Sequence, residues 1–131
     1  ALFDSQQYHT LNHPIILPKG RLGALIKGQL KGLEILDYGL TLEEGSFSIG
    51  PNGCRLQWPL AAAYALAMVT QAGVSKISLV GFDGYSANEL RQEEMNDVFF
   101  KYTSLAESLA ITTLTPTTYR IDQSSIFSPT C

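Results

Sequence analysis

The stretch Lys76-Ile-Ser-Leu-Val-Gly-Phe-Asp-Gly-Tyr-Ser86 decides how the chain is read. Ile77, Leu79 and Val80 form a short apolar run, which predicts a strand buried on both faces and central in its sheet. Gly81 ends the run, and a polar loop with one acid, Asp83, follows. In an open α/β sheet, ligands sit in the loops at the carboxyl ends of the strands. The segment Gly81 to Ser86 is therefore the first candidate site.

Downstream, Ser86 and Glu89 stand in the S-x-x-E relation of a capping box, which predicts a helix from Ala87 to Leu109. Met95, Val98, Phe99, Tyr102, Leu105, Ala106 and Leu109 recur at helical steps and mark its buried face. Arg91, Glu93, Glu94, Asp97, Lys101 and Glu107 make the opposite face. Ala110 to Leu114 reads as a second strand, stopped by Pro116. Strand, helix and strand in this order predict a right-handed βαβ unit, with the second strand parallel to the first. Upstream, Pro59 suits a first helical turn, and Leu60 to Ala72 is apolar almost all round. Gly73 is placed to end that helix. The expected architecture is a three-layer, Rossmann-like α/β domain with a mainly parallel sheet. Tyr64, Met68, Leu79, Phe99 and Tyr102 are its expected core.

The first half is less regular. Ala1 to Tyr8 reads as a short strand and turn, and Ile15 to Leu17 as a strand fragment between Pro14 and Pro18. Glycines then separate apolar pairs such as Leu25-Ile26, so Leu33 to Tyr38 and Ser46 to Ile49 are expected as strands of a small irregular or antiparallel piece. Gly50-Pro-Asn-Gly53 is a turn signal. The 131 residues are the usual size of one domain, with a β-rich part over 1–56 and a helix-strand-helix-strand part over 57–131. The start at Ala1 and the close on Ser128-Pro-Thr-Cys131 lead to the expectation that this is the C-terminal part of a longer protein.

A net charge of −3 argues against nucleic acid, which needs a basic stripe. Lys19, Arg21, Lys27 and Lys31 lie near one another but are interrupted by glycine, as in a solvated loop. Cys54 and Cys131 are far apart, which gives no metal spacing and favours a reducing, cytoplasmic setting. No apolar run approaches the roughly 20 residues that cross a bilayer. His9 and His13 are four residues apart, but Pro14 rules out a shared helix face. Trp58 reads as a core or interface aromatic.

The candidate ligand-binding residues are Asp83, Gly84, Tyr85, Ser86, Thr115 and Thr117. Glycines let backbone N–H groups approach a ligand, and the start of the following helix receives an anion. Asp83 is placed to accept bonds from sugar or ribose hydroxyls, to act as an acid or base, or to brace its own loop. Thr115 and Thr117 in Leu114-Thr-Pro-Thr-Thr-Tyr119 leave the next strand at the same edge, or satisfy local backbone groups. The loop matches neither the dinucleotide fingerprint nor a phosphate loop with its lysine. No catalytic residue and no metal ligand emerges.

Several tracts together carry a resemblance: Trp58-Pro-Leu-Ala-Ala-Ala-Tyr-Ala-Leu-Ala67, Gly73-Val-Ser-Lys-Ile-Ser-Leu-Val-Gly-Phe-Asp-Gly-Tyr-Ser86, Glu94-Met95 and Leu114-Thr-Pro-Thr-Thr-Tyr119. They resemble the C-terminal domain attached to some bacterial aldolases, over residues Gln57 to Ile126. Those proteins carry an N-terminal lyase barrel similar to 4-hydroxy-2-oxovalerate aldolase and hydroxymethylglutaryl lyase, and are associated with surface-polysaccharide synthesis. The resemblance implies an accessory domain partnered by that barrel and able to take a sugar, nucleotide or oxo-acid ligand. It implies a divalent metal in the barrel, whose ligands have no counterpart here, and no cofactor in this domain. A fainter likeness to the Rossmann-like domain of bacterial sialyltransferases implies nucleotide-sugar binding. A structural module, forming a homo-oligomer, is the third reading.

Overall fold

The computed structural model describes residues 13–23, 28–30 and 32–127. The strand expected over Ala1 to Tyr8, and His9, Leu25-Ile26, Lys27, Lys31 and Cys131, lie outside the described residues. The protein is α/β, and the chain divides into two compact units, Ala1–Leu60 and Ala61–Cys131.

Among the described residues the first unit holds five short strands. β1 (Ile15–Leu17) pairs in parallel with β2 (Ile35–Asp37), Ile15 opposite Ile35. A 3-10 turn at Lys19–Arg21 follows β1 and is tied back by its neighbours. The Lys19 N–H donates to Asp37 Oδ1 at 2.9 Å, and Arg21 Nε donates to the Leu40 carbonyl at 3.0 Å. β3 (Gly39–Leu42), β4 (Phe47–Ile49) and β5 (Gly53–Leu56) form a second sheet in the order β3-β5-β4. β5 is parallel to β3 and antiparallel to β4. The expected irregular or antiparallel piece is thus mostly parallel.

The turn at Gly50–Gly53 forms as its sequence predicts, with the Gly50 N–H donating to the Gly53 carbonyl at 2.9 Å. It reverses the chain so that β5 returns between its two predecessors. Leu56 faces both Leu42 and Phe47 across the ladders and is 1% exposed, so it anchors this sheet. Gly39 lies opposite Gly53, and a Cβ on Gly53 would stand 2.7 Å from the Gly39 carbonyl oxygen. That close approach is why β5 opens on glycine. The Tyr38 hydroxyl donates to the Gly50 carbonyl at 2.9 Å and pins the turn.

The second unit holds α1 (Ala61–Gln71), β6 (Ile77–Leu79), α2 (Leu90–Thr103), β7 (Ile111–Thr113) and β8 (Asp122–Gln123). α1 starts two residues after Pro59 and buries Ala63, Leu66 and Ala67. Gly73, at φ 82°, closes it in a Schellman turn. There the Gly73 N–H donates to Thr70 and the Val74 N–H to Val69. β6, β7 and β8 are all parallel, with Ile77 opposite Ile111 and Thr113 opposite Gln123.

Three expectations for this unit are corrected. The sheet order is β6-β7-β8, so β6 is an edge of the described sheet and β7 its centre. Ile77 is buried, but Ser78 is exposed and Val80 is 62% exposed, so the apolar run covers one face only. α2 begins at Leu90, not Ala87, and ends at Thr103, not Leu109. The capping box does not close: Glu89 is the N-cap without a side-chain bond, and its N–H reaches the Ser86 carbonyl in a preceding turn. At the other end, hydroxyls compete for the helix carbonyls: Thr103 Oγ1 donates to Phe99 and Ser104 Oγ to Phe100.

Met95, Val98, Phe99 and Tyr102 are buried as their spacing predicts. Tyr64, Met68 and Leu79 are only half-buried. Tyr102 has no exposed surface, and its hydroxyl is fully used. Thr70 Oγ1 gives its proton to the Leu66 carbonyl at 2.7 Å, so Tyr102 donates to Thr70 Oγ1 at 2.8 Å. The same hydroxyl accepts the Leu109 N–H at 2.9 Å. One buried phenol therefore joins α1, α2 and the segment leading into β7.

Candidate functional site

The loops after β6 and β7 leave one sheet edge side by side, because the two strands are parallel and in register. They are stitched together from the strand ends outward. The Leu114 N–H donates to the Leu79 carbonyl at 2.8 Å, and the Gly81 N–H donates to Thr115 Oγ1 at 2.9 Å. Further out, the Asp83 carbonyl accepts both the Thr118 N–H at 2.8 Å and Thr118 Oγ1 at 3.1 Å.

Gln92 completes the joint. It is 6% exposed, and its amide reaches both loops. Its Oε1 accepts the Tyr85 N–H at 2.8 Å, and its Nε2 donates to the Thr118 carbonyl at 3.1 Å. Gly84 crosses this joint at φ 99°. A Cβ there would overlap the Thr118 hydroxyl and stand 3.0 Å from Gln92 Oε1. Both the backbone angle and the space require glycine.

Each expected site residue has a defined place. Thr115 Oγ1 accepts from Gly81, and Thr117 Oγ1 accepts the Tyr119 N–H at 3.1 Å. Both threonines are half-buried and brace backbone, while each hydroxyl keeps its own proton to donate. Ser86 is exposed, and its carbonyl closes the turn to Glu89. Tyr85 is 40% exposed, and the Arg91 guanidinium carbon stands 5.8 Å from its ring centroid. The Asp83 side chain is exposed and makes no hydrogen bond or ion pair among the described residues. Its main chain braces the loop; its carboxylate does not.

Behind the loops, Tyr119 packs on Phe99 with ring centroids 5.5 Å apart and planes at 56°. Burial, then the neighbouring Tyr85 hydroxyl, push the Tyr119 phenol above its ordinary value. The Arg120 N–H donates to Asn96 Oδ1 at 3.0 Å, which ties the β7–β8 connection to α2.

Sequence reasoning missed Gln92 and Arg91. For Gln92 the signal was present: the steps 92, 95, 99 and 102 extend the buried stripe one turn back through an amide. The Glu89 N-cap and Glu93 place acids in the first turn of α2, so the helix start is less receptive to an anion than expected.

Elsewhere, an open groove of about 460 Å³ runs along α2, lined by Glu93, Asn96, Asp97, Phe99, Phe100, Thr103 and Arg120. Asp97 there pairs with Lys101 at 2.7 Å, one helical turn on. Burial pushes the Cys54 thiol up to about 11, which keeps it protonated and unreactive near neutral pH. Among the described residues no three His, Cys, Asp or Glu side chains gather as a metal site, and no helix is long and apolar enough to cross a membrane. No family model, curated protein or solved structure matches the chain.

Proposed function

We propose that the protein is a ligand-binding accessory domain of a 4-hydroxy-2-oxovalerate aldolase-like lyase, working in the cytoplasm beside its lyase barrel in surface-polysaccharide metabolism. Its fold is the three-layer, Rossmann-like arrangement of that resemblance. The ligand is a small polar molecule, a sugar, nucleotide or oxo acid. It rests on Asp83, Gly84, Tyr85 and Ser86, with Thr115 and Thr117 alongside.

One observation carries this reading. The two loops are locked by Gln92 and Thr118, yet the Asp83 carboxylate at their tip is left without a partner among the described residues. A rigid loop that presents an uncommitted acceptor is pre-organised for hydroxyl donors. Locking of the loops alone would fit a purely structural turn; the uncommitted acid favours a ligand.

Calorimetric titration with CMP, UDP-sugars and sugar phosphates tests the reading. A bound ligand should lose about tenfold in affinity with Asp83→Asn, the size of one lost charge-assisted bond. A ligand whose affinity Asp83→Asn leaves unchanged would show that Asp83 plays no part in binding.

A further inference from the structure

Arg91 is a cation beside Tyr85 of this loop, and neither the fold nor the proposed function has given it a task. It stands next to Gln92 in the first turn of α2. Among the described residues its guanidinium has one recorded partner, the Tyr85 ring, with no ion pair and no hydrogen bond. A guanidinium 5.8 Å from a ring centroid spends no N–H on it, so its donors stay available to an anion. Asp83, two residues before Tyr85, is equally unpaired, and no ion pair joins it to Arg91. The loop therefore carries an unpaired acceptor on Asp83, and an unpaired fork of donors lies beside Tyr85, whose N–H is fixed by buried Gln92.

We infer that the site takes an anionic saccharide, its ring hydroxyls on Asp83 and its carboxylate or phosphate on Arg91. The inference rests on the ligand-binding reading above and adds the ligand's charge and its direction. An anion cannot sit on Asp83, because like charges repel, so the acidic group is directed to Arg91. A neutral sugar would leave the guanidinium without a counter-charge. In a chain of net charge −3, with Glu89 and Glu93 beside it in the same turn, the foothold for such a ligand is the unpaired Arg91 guanidinium and not the helix start itself. The Tyr85 side chain, 40% exposed, adds a hydroxyl of its own.

Titration of the 131-residue chain with methyl α-glucoside, glucuronate and glucose 1-phosphate tests this. The two anions should bind about tenfold more tightly than the glucoside, as one charge-assisted fork implies. Arg91→Gln should collapse that gap, and Arg91→Lys should restore only part of it, because lysine lacks the fork. Arg91 is exposed, so an unchanged melting temperature will show that the variants fold. Raising the pH from about 5 to 7.5 should strengthen glucose 1-phosphate alone, since a phosphate monoester loses its second proton near pH 6. A glucoside that binds as tightly as the anions, or a gap that survives Arg91→Gln, overturns the inference and leaves the ligand-binding reading standing. Failure of all three sugars to bind overturns the inference, and the sugar form of that reading with it.

Discussion

At the scale of single residues, Gly84, Gln92, Phe99 and Cys54 carry separate, measurable consequences. Gly84→Ala must adopt φ 99° and push the Thr118 hydroxyl aside, so a loss of about 1–3 kcal/mol is expected in denaturant unfolding. Gln92→Leu keeps the volume but strands the Tyr85 N–H and the Thr118 carbonyl, costing about 1–3 kcal/mol. Hydrogen exchange at the Tyr85 amide should accelerate in that variant; unchanged protection would mean the joint holds without Gln92. Phe99→Ala opens the space under Tyr119 and should cost about 3–5 kcal/mol, and a mutant melting like the parent would refute that burial. Cys54 sets an alkaline limit. Its thiol holds its proton to about 11 when folded and to 9.0 by its ordinary value, so between these the unfolded chain binds fewer protons. Stability from this group is complete below about pH 9 and declines as pH rises toward 11. Cys54→Ala should flatten that decline in melting temperature. The raised Tyr38 and Tyr119 phenols add their own loss above pH 10, and these remain in the variant.

At the scale of elements, the parts that could be read from sequence are those with a dense local signal. The helix over Ala61–Gln71 and its end at Gly73, the parallel pairing of β6 with β7, and the turn at Gly50–Gly53 all follow from residue type and spacing. What was misread depends on partners distant in sequence. Periodicity cannot separate a central strand from an edge strand with one buried face, and β6 is the second kind. The start of α2 was misplaced because Ser86 spends its carbonyl on a turn before the helix begins. β3, β5 and β8 gave no usable pattern: two open on glycine or lie beside it, and the third spans only Asp122–Gln123. The loop after β6 follows from glycines around one acid. The residues beside that loop, Gln92 and Arg91, belong to a neighbouring helix; only the helical spacing of Gln92 from Met95 marks the first, and no local motif marks the second.

At the scale of the whole molecule, the proposed accessory role leaves the chemistry to a lyase barrel, whose metal-binding and catalytic residues would have no counterpart in this sequence. The 131-residue chain is therefore expected to leave 4-hydroxy-2-oxo acids uncleaved, with or without Mn²⁺ or Mg²⁺, in a coupled assay for the released 2-oxo acid. Robust turnover would overturn the accessory role. The placement of β5 between β3 and β4 has a consequence for the order of folding. β3 precedes both of its sheet partners in the chain, yet it cannot pair with β4, because β5 occupies the place between them. The β4–β5 hairpin is the local contact and closes a short loop, whereas β3 can dock only after β5 exists. During synthesis from the N-terminus, the β3 edge that β5 will cover therefore waits unpaired until Leu56 has emerged. Truncations such as Ile49→Val in the hairpin should slow folding, and Leu40→Val in β3 should chiefly speed unfolding. Stopped-flow rates of the two variants would tell: equal slowing of refolding by both would mean that the three strands assemble in a single step.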